Sequence, residues 1–290
     1  MPSLNTFFSV CIITYRRPFL LDNCLQRIAP GMQTLNHQHY EVVVSDDSPE
    51  GSAREVVERT GFARWVKGPF QGVAANRNNV VKAARGLWIV FVDDDELPEA
   101  SWLEKLYQAA ISKQWDVIEG RVESVDYPDN LFWYAPMILS GGMFGTANLT
   151  IRRELLLELG GFDEELRVSH EDVELGHRIQ SASLRTVFLA DALVKHPARR
   201  MSLLQVWQRA IQQQCMTYEL HHRQSTHKVN RFKSLLSLAE WSSKYLFRAC
   251  RFDLTIKHQG HWRRPLQMIL LKTLACPVAS LQIYRKKPQP

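Results

Sequence analysis

Residues 87–96 read LWIVFVDDDE, an apolar run that ends abruptly in four consecutive acidic residues. An uninterrupted run of large and β-branched residues is typical of a strand buried on both faces of a parallel sheet. The same change from apolar to polar occurs twice upstream, where 7–13 (FFSVCII) lead into 14–17 (TYRR) and 40–45 (YEVVVS) lead into DDS. Because open α/β sheets bind ligands at the carboxyl ends of their strands, these three polar clusters predict one shared cleft.

Helix-like segments alternate with these strands. Helices are predicted over 18–28, 53–59 and 73–85, and a short strand over 64–67. Gly86 follows the third helix, where glycine commonly ends a helix. Strand–helix alternation at this spacing predicts a doubly wound α/β sheet that is flanked by helices.

Composition and charge predict one large domain with an appendage. The chain has 290 residues, of which 45% are hydrophobic and 23% charged, enough for a packed core. Its five cysteines are scattered without CxxC spacing, which excludes a disulfide scaffold and a cysteine-based zinc site. Residues 1–197 carry 19 Lys/Arg and 27 Asp/Glu, whereas 198–290 carry 17 and 3. We therefore expect an α/β domain over 1–200 and a basic helical extension over 201–290.

The basic extension has two interpretations. Residues 203–220 and 235–252 place aromatic side chains beside Lys and Arg at helical spacing. Such helices bind anionic membrane surfaces, but they also pack on a neighbouring domain with their basic faces in water. Residues 266–284 lean apolar but contain Lys272 and Pro277, so an interfacial or packed segment is expected rather than a membrane span.

The expected location is cytoplasmic, at the cytoplasmic face of a membrane if the extension binds lipid. The first nine residues contain no basic residue followed by an apolar run, so a secretory signal is not expected. No nucleic-acid-binding module accompanies the basic extension, and no nucleic-acid partner is expected.

The acidic run at 93–96 is a candidate site for a divalent cation. Like charges this close repel one another unless a cation neutralises them. Carboxylate oxygens suit Mg²⁺ and Mn²⁺, which also take substrate phosphates as ligands. Asp93 and Asp95 project to the same side of an extended segment and form the predicted ligand pair, whereas Asp94 is expected to point elsewhere. His196, after a strand-like run over 186–189, is a candidate additional ligand, although a lone histidine is more often an ordinary surface residue.

Residues 169–172 (SHED) open a helical stretch and also have two interpretations. One is a capping box, in which Ser169 caps the helix and Asp172 reaches back. The other is a general base, because the positive end of a helix keeps a carboxylate ionised and ready to accept a proton. A zinc-protease motif is excluded because Glu174 stands where the second histidine would be needed. The GxGxxG, GxxxxGK[ST] and GxSxG motifs are absent from the chain.

Several blocks, in order, resemble the family 2 glycosyltransferases. The blocks similar to the nucleotide-sugar half, expected over about 1–100, are 8–15 (FSVCIITY), 41–48 (EVVVSDDS), 74–78 (AANRN) and 90–95 (VFVDDD). The blocks similar to the acceptor half, expected over about 101–200, are 146–153 (TANLTIRR), 160–164 (GGFDE) and 171–175 (EDVEL).

The resemblance implies a GT-A fold, with a mixed sheet flanked by helices, and an inverting, metal-dependent transfer of one sugar from a nucleotide-diphospho-sugar to a hydroxyl acceptor. It implies that Asp93 and Asp95 hold Mn²⁺ or Mg²⁺ as a DxD pair and that Asp172 is the catalytic base; His196 is the additional ligand expected from its position. The substrate-binding residues that it implies, most of them at the nucleotide, are Thr14, Tyr15, Asp47, Arg77, Asp94, Asn148 and Glu171. Arg17, in a first loop that is more basic than is usual for the family, is a further expected substrate-binding residue.

The implied donor is a UDP-sugar and the implied acceptor a glycan or lipid-linked molecule of the cell envelope. A QxxRW motif, typical of processive synthases, is absent, because Gly61 stands where Gln is needed before Arg64 and Trp65. Two alternatives stay open: a metal-dependent nucleotidyltransferase on a similar sheet, and a catalytically silent protein that binds membrane or glycan.

Overall fold

The computed structural model describes residues 6–125, 128 and 132–212. The chain divides into two compact units, the first formed by 1–125 with 135–197 and the second by 126–134 with 198–290. The predictions for the second amphipathic stretch and for 266–284 lie outside the described residues. Among the residues that are described, no helix is both long enough and apolar enough to cross a membrane.

The first half of the sheet is parallel, as the sequence predicts. Its elements are β1 (Phe8–Thr14), α1 (Pro18–Ile28), β2 (Tyr40–Asp46), α2 (Arg54–Thr60), β3 (Ala63–Lys67), α3 (Val73–Ala83) and β4 (Trp88–Phe91). Strand β1 lies between β2 and β4 and is parallel to both, and β3 continues the parallel order beyond β2. The carboxyl ends of β1, β2 and β4 therefore lie at one edge of the sheet.

The second half makes the sheet mixed. Its elements are β5 (Leu97–Pro98), α4 (Trp102–Ile111), β6 (Val117–Val125), β7 (Trp133–Tyr134), β8 (Leu149–Arg152), α5 (Arg153–Glu158), α6 (Glu171–Ser181), β9 (Thr186–Pro197) and β10 (Arg199–Arg200). The eight-stranded sheet has the order β3-β2-β1-β4-β8-β6-β9-β5, in which β8 is antiparallel to both β4 and β6. In the second unit, β7 pairs with β10 in a separate two-stranded sheet, and residues 203–212 are helical.

Apolar layers cover both faces of the large sheet, which explains the uninterrupted apolar strands. Phe8, Val10 and Ile12 of β1 face a core shared with α1 and α4, whereas Cys11 faces a second core shared with α3 and α6. Each large side chain in these layers is almost fully buried, and burial of this kind contributes about 1.5–3 kcal/mol per residue.

Two local predictions are wrong. Strand β9 continues to Pro197, so His196 lies within the last long strand and not after it, because pairing with β6 extends the strand past the exposed Asp191. No capping box opens α6, because His170 at the N-cap position has φ 72°, a left-handed backbone that turns the side chain before the helix away from its first amides. The Ser169 hydroxyl instead lies 3.0 Å from His170 Nδ1.

Candidate active site

The ends of three parallel strands meet where the sequence predicts a cleft. The Thr14 hydroxyl, at the end of β1, donates to Asp94 Oδ2 (2.6 Å), and the Asp47 amide donates to the Thr14 carbonyl (3.0 Å). Beyond β1, Tyr15 is half exposed, with the Arg16 guanidinium 5.4 Å from its ring centroid. The structure thus brings Thr14, Asp47 and the acidic run together at the carboxyl edge of the sheet.

Arg17 neutralises part of the acidic run. Its guanidinium pairs with Asp94 at 2.6 Å and with Asp95 at 2.9 Å. Asp94 is fully buried, and burial raises its pKa to about 7 although Arg17 opposes the shift. The Asp94 side chain therefore contacts Thr14 and shares Arg17 with Asp95. The alternation expected of an extended segment is wrong, because residues 94 and 95 form a turn in which Asp93 and Asp95 have different partners.

Asp95, Glu96 and His196 form a cluster whose ligand atoms all lie within 4.8 Å of one another. His196 Nδ1 lies 2.7 Å from the Pro197 carbonyl oxygen, which can only accept, so Nδ1 carries the proton and Nε2 offers a lone pair. His196 Nε2 lies 3.6 Å from Asp95 Oδ1.

Glu96 makes this cluster a suitable place for a dication. It is fully buried, and within the described part of the chain neither of its carboxylate oxygens has a hydrogen-bond partner. Burial raises its pKa well above the usual value, and the three neighbouring aspartates raise it further. An unpaired buried carboxylate is costly, and a donor set of carboxylates with one imidazole fits Mn²⁺ or Mg²⁺.

Asp93 turns to a different partner. Its Oδ1 accepts from Arg77 Nη2 at 3.1 Å, and it does not belong to the cluster of Asp95, Glu96 and His196. Burial raises the pKa of Asp93, and the negative charge of Asp172 adds to that shift. Asp172 therefore lies within electrostatic range of the acidic run, and its prediction as the catalytic base stays a prediction.

Glu171 and Asp172 occupy the first turn of α6. Glu171 is buried and forms an ion pair with Arg77 of α3, whereas Asp172 is half-buried and accepts from the Val173 amide at 2.8 Å. In the same turn, Glu174 pairs with Arg178 Nε at 2.8 Å, at the i,i+4 spacing seen in the sequence. The structure therefore places a carboxylate pair, held on one side by Arg77, at the positive end of a helix.

Asp47 anchors the loop after β3 by a hydrogen bond. Asp47 Oδ1 accepts from the Phe70 amide at 2.6 Å, and the Gly68 amide donates to the Asp46 carbonyl at 2.8 Å. A Cβ at Gly68 would lie 2.7 Å from the Asp46 carbonyl oxygen and from Asp47 Cα, so this approach requires glycine. The half-buried Asp47 carboxylate thus organises a loop at the edge where the sequence expects the nucleoside.

Asn148 lies in the interior. It is 1% exposed; its amide donates to the carbonyls of Arg121 (2.9 Å) and Ala192 (2.8 Å), and Oδ1 accepts from Trp102 Nε1 (2.9 Å). Gly120 packs so closely against the Asn148 amide that a Cβ there would overlap with it. Both the nitrogen and the oxygen of the Asn148 side chain are hydrogen-bonded to protein groups. The predicted contact of Asn148 with substrate stays a prediction.

Asn148→Ala is expected to lower the free energy of unfolding by about 3 kcal/mol, because it leaves the Trp102 indole and two carbonyls unpaired in the interior. Urea denaturation followed by circular dichroism measures the loss. Asn36→Ala, at an exposed asparagine that caps a short turn, is the control and should cost about 1 kcal/mol or less. If Asn148→Ala unfolds like the wild type but loses activity, Asn148 contacts substrate instead.

Sequence reasoning missed the role of two glutamates. Glu96 belongs to the acidic run but was not assigned as a ligand, although it is fully buried and neither of its oxygens has a hydrogen-bond partner among the described residues. Glu119 of β6 accepts from the amides of Gly142 (2.7 Å), Met143 (2.9 Å) and Phe144 (2.7 Å) and so anchors their loop. An acid inside the apolar stretch 117–122 (VIEGRV) is the signal that could have revealed it.

The mixed sheet, with an edge of acidic side chains at the carboxyl ends of its parallel strands, places the protein in a fold class, that of the GT-A-type proteins. Two solved structures are similar to it in fold. Staphylococcus aureus TarS 1-349 in complex with UDP-GlcNAc covers 96% of this chain and 89% of its own, with a TM-score of 0.59 and 19% identity. The mannosyltransferase PcManGT from Pyrobaculum calidifontis, in complex with GDP-Man and Mn²⁺, covers 97% and 88%, with a TM-score of 0.61 and 18% identity.

The chain belongs to glycosyl transferase family 2, whose model matches residues 9–170. It is 27% identical over 215 residues to the glycosyltransferase AglE of Haloferax volcanii, a match that covers 69% of each protein. It is 29% identical over 134 residues to the N-acetylglucosaminyl-diphospho-decaprenol L-rhamnosyltransferase of Mycobacterium tuberculosis, which covers 46% of this chain and 33% of the relative. The expected family and fold are confirmed.

Proposed function

We propose that this protein transfers a single sugar from a nucleotide-diphospho-sugar to a hydroxyl of a glycan or lipid-linked acceptor, with inversion at the anomeric carbon. The observation that carries the proposal is the buried cluster of Asp95, Glu96 and His196 at the strand edge that also bears Thr14 and Asp47. Carboxylates and an imidazole placed this close together can bind a dication, and the dication would in turn bind the diphosphate of a nucleotide-sugar.

The donor side is assigned to the carboxyl edge of the sheet. Asp95, Glu96 and His196 would hold Mn²⁺ or Mg²⁺, with Asp93 as a predicted further ligand, and the bound ion would supply charge neutralisation for the departing nucleoside diphosphate. Tyr15 would offer its exposed ring to the base, and Asp47, whose amide donates to the Thr14 carbonyl, lies next to the start of the same loop. Arg17, only partly buried, adds a positive charge beside Asp94 and Asp95.

The acceptor side is assigned to α6. Asp172 takes the proton of the attacking hydroxyl, because it is a half-buried carboxylate in the first turn of α6, within electrostatic range of Asp93. Attack by that hydroxyl on the face opposite the leaving group inverts the anomeric centre and needs no covalent intermediate. Glu171 supports the first turn of α6 through Arg77.

The comparisons support the substrate classes. The similar structures hold UDP-GlcNAc or GDP-Man, which makes a nucleotide-sugar the expected donor and a UDP-sugar the first to test. The mycobacterial relative is named for a diphospho-decaprenol acceptor, which favours a lipid-linked acceptor and work at an anionic membrane surface.

UDP with Mn²⁺ is expected to raise the thermal midpoint of the full chain by about 5–10 °C at 100 times its dissociation constant, since binding of that strength contributes about 2.7 kcal/mol. A thermal-shift screen compares UDP, GDP and their sugar conjugates with Mn²⁺ and with EDTA, and a coupled assay follows release of the nucleoside diphosphate. Pyrophosphate release from a nucleoside triphosphate and a sugar phosphate would indicate a nucleotidyltransferase. Nucleotide-sugar binding without turnover in the presence of glycan and polyprenyl acceptors would indicate a silent homologue.

A further inference from the structure

Arg77 connects three parts of the first unit that are distant in sequence. It lies on α3 with a side chain only 7% exposed, and Nη2 donates to Asp93 Oδ1 at 3.1 Å. Its Nη1 pairs with Glu171, whose side chain is 6% exposed. Its guanidinium carbon also lies 5.9 Å from the ring centroid of Phe162. One planar group is therefore fixed by two carboxylates and one aromatic ring.

Each of the two carboxylates lies just before a residue with an assigned role, which is Asp95 at the dication and Asp172 as the proposed base. Asp93 comes two residues before Asp95 at the end of β4, and Glu171 comes immediately before Asp172. A shift of either carboxylate would move its neighbour along the chain. The Arg77 guanidinium thus links the donor side of the site to the acceptor side.

The pair between Arg77 and Glu171 lies at the start of α6, which has no side-chain cap hydrogen bond. His170 occupies the N-cap position with φ 72° and without a cap hydrogen bond from its side chain. A non-glycine residue in the left-handed region persists only where its surroundings hold it. The pair between Arg77 and Glu171, at the first helical residue, provides such a constraint.

Burial argues against a contact between Arg77 and the nucleotide. Burial by itself lowers the pKa of Arg77, but the charges of Glu171, Asp93 and Asp172 outweigh that effect and raise it, so the guanidinium stays charged. With its side chain almost completely covered, its charge is directed at protein carboxylates.

We propose that Arg77 is a positioning residue for sugar transfer, which sets the placement of Asp172 relative to the aspartate loop by holding Asp93 and Glu171 on one guanidinium. This inference rests on the proposed function. It differs from the nucleotide contact that the family resemblance implies, because Arg77 acts through two carboxylates and does not touch the substrate.

Arg77→Lys tests the geometry, since lysine keeps the charge but lacks the planar fork that engages two carboxylates. We expect kcat for UDP release from UDP-GlcNAc, or from whichever donor the screen selects, to fall about 100-fold, as a displacement of about 1 Å can cause. The apparent affinity for UDP, measured from the Mn²⁺-dependent thermal shift, should fall much less than kcat, by about tenfold or less, because Asp95, Glu96 and His196 are all retained. Arg178→Lys is the matched control, because Arg178 pairs with Glu174 on the same helix; its kcat should stay within about threefold.

A double variant separates positioning from stability. Arg77→Gln leaves Glu171 buried without its cation and should lower the thermal midpoint by about 10 °C. Arg77→Gln combined with Glu171→Gln removes the stranded charge, so most of that loss should be regained while kcat stays low. Recovery of kcat together with the midpoint, or wild-type kcat in Arg77→Lys, would overturn the positioning role. Loss of UDP affinity at unchanged kcat would show a nucleotide contact instead.

A wild-type chain that neither binds nor turns over any nucleotide-sugar would refute the proposed function without deciding the link through Arg77. Hydrogen exchange decides it independently of activity. In Arg77→Lys, amide exchange should accelerate both at 92–96 and at 170–175, and not in α4. Acceleration at one of the two segments alone, or at neither, would overturn the link.

Discussion

Asp172→Asn is expected to lower kcat for sugar transfer about 10³-fold while leaving UDP and Mn²⁺ binding close to that of the wild type. An amide cannot accept the proton of the attacking hydroxyl, but it preserves the shape of the side chain. Its oxygen can still accept from the Val173 amide, as Asp172 Oδ1 does at 2.8 Å, so the first turn of α6 should persist. Steady-state UDP release in the presence of donor and acceptor measures the loss, and the thermal shift with UDP measures binding.

Glu174→Gln is the matched control for Asp172→Asn. Glu174 lies two residues further along the same helical turn and pairs with Arg178. Its neutralisation therefore changes the charge of the helix equally without removing the assigned base. We expect its kcat to stay within about threefold, since an exposed or partly exposed pair of this kind contributes little. Full transfer activity in Asp172→Asn would assign the proton acceptor to another group.

Asp95→Asn is expected to abolish most of the Mn²⁺-dependent binding of UDP and to lower transfer by more than about 100-fold. Loss of an outer partner of a metal ligand already costs about 10–100-fold in affinity, and loss of a ligand costs more. The midpoint without metal should stay equal or rise, because the charge of Asp95 raises the pKa of Asp93, Asp94 and Glu96 and thus opposes their ionisation. Thermal shifts over a Mn²⁺ titration at constant UDP separate the two effects.

The control for Asp95→Asn is Asp22→Asn on the outer surface of α1. Asp22 pairs with Arg59 of α2 at 3.1 Å and lies outside the acidic run. It should change neither the Mn²⁺ dependence nor the rate beyond about twofold. An unchanged Mn²⁺ dependence in Asp95→Asn would show that the cation binds elsewhere than at the cluster with Glu96 and His196.

The parallel half of the sheet could be predicted from local pattern. The predicted helix over 18–28 agrees with α1 residue for residue, and β1, β2 and β4 each lie within about one residue of the predicted apolar runs. Burial on both faces leaves an uninterrupted apolar signature, and short-range turn residues separate one element from the next. Strand β9 could not be predicted at full length because Asp191 interrupts the pattern, and only pairing with β6 continues it to Pro197.

The order of residues by itself determined the fold family, the acidic edge and the residue types available for chemistry. Apolar runs and strand–helix alternation are local patterns, so neighbouring residues are enough to reveal them. The tertiary structure alone decided which side chains share a site. In the folded chain, His196 of the last long strand lies beside Asp95 and Glu96, whereas Asp93 pairs with Arg77 and lies outside that cluster. The physical reason is that the direction of a side chain in an irregular loop follows the packing and charge of distant elements, which spacing along the chain does not encode.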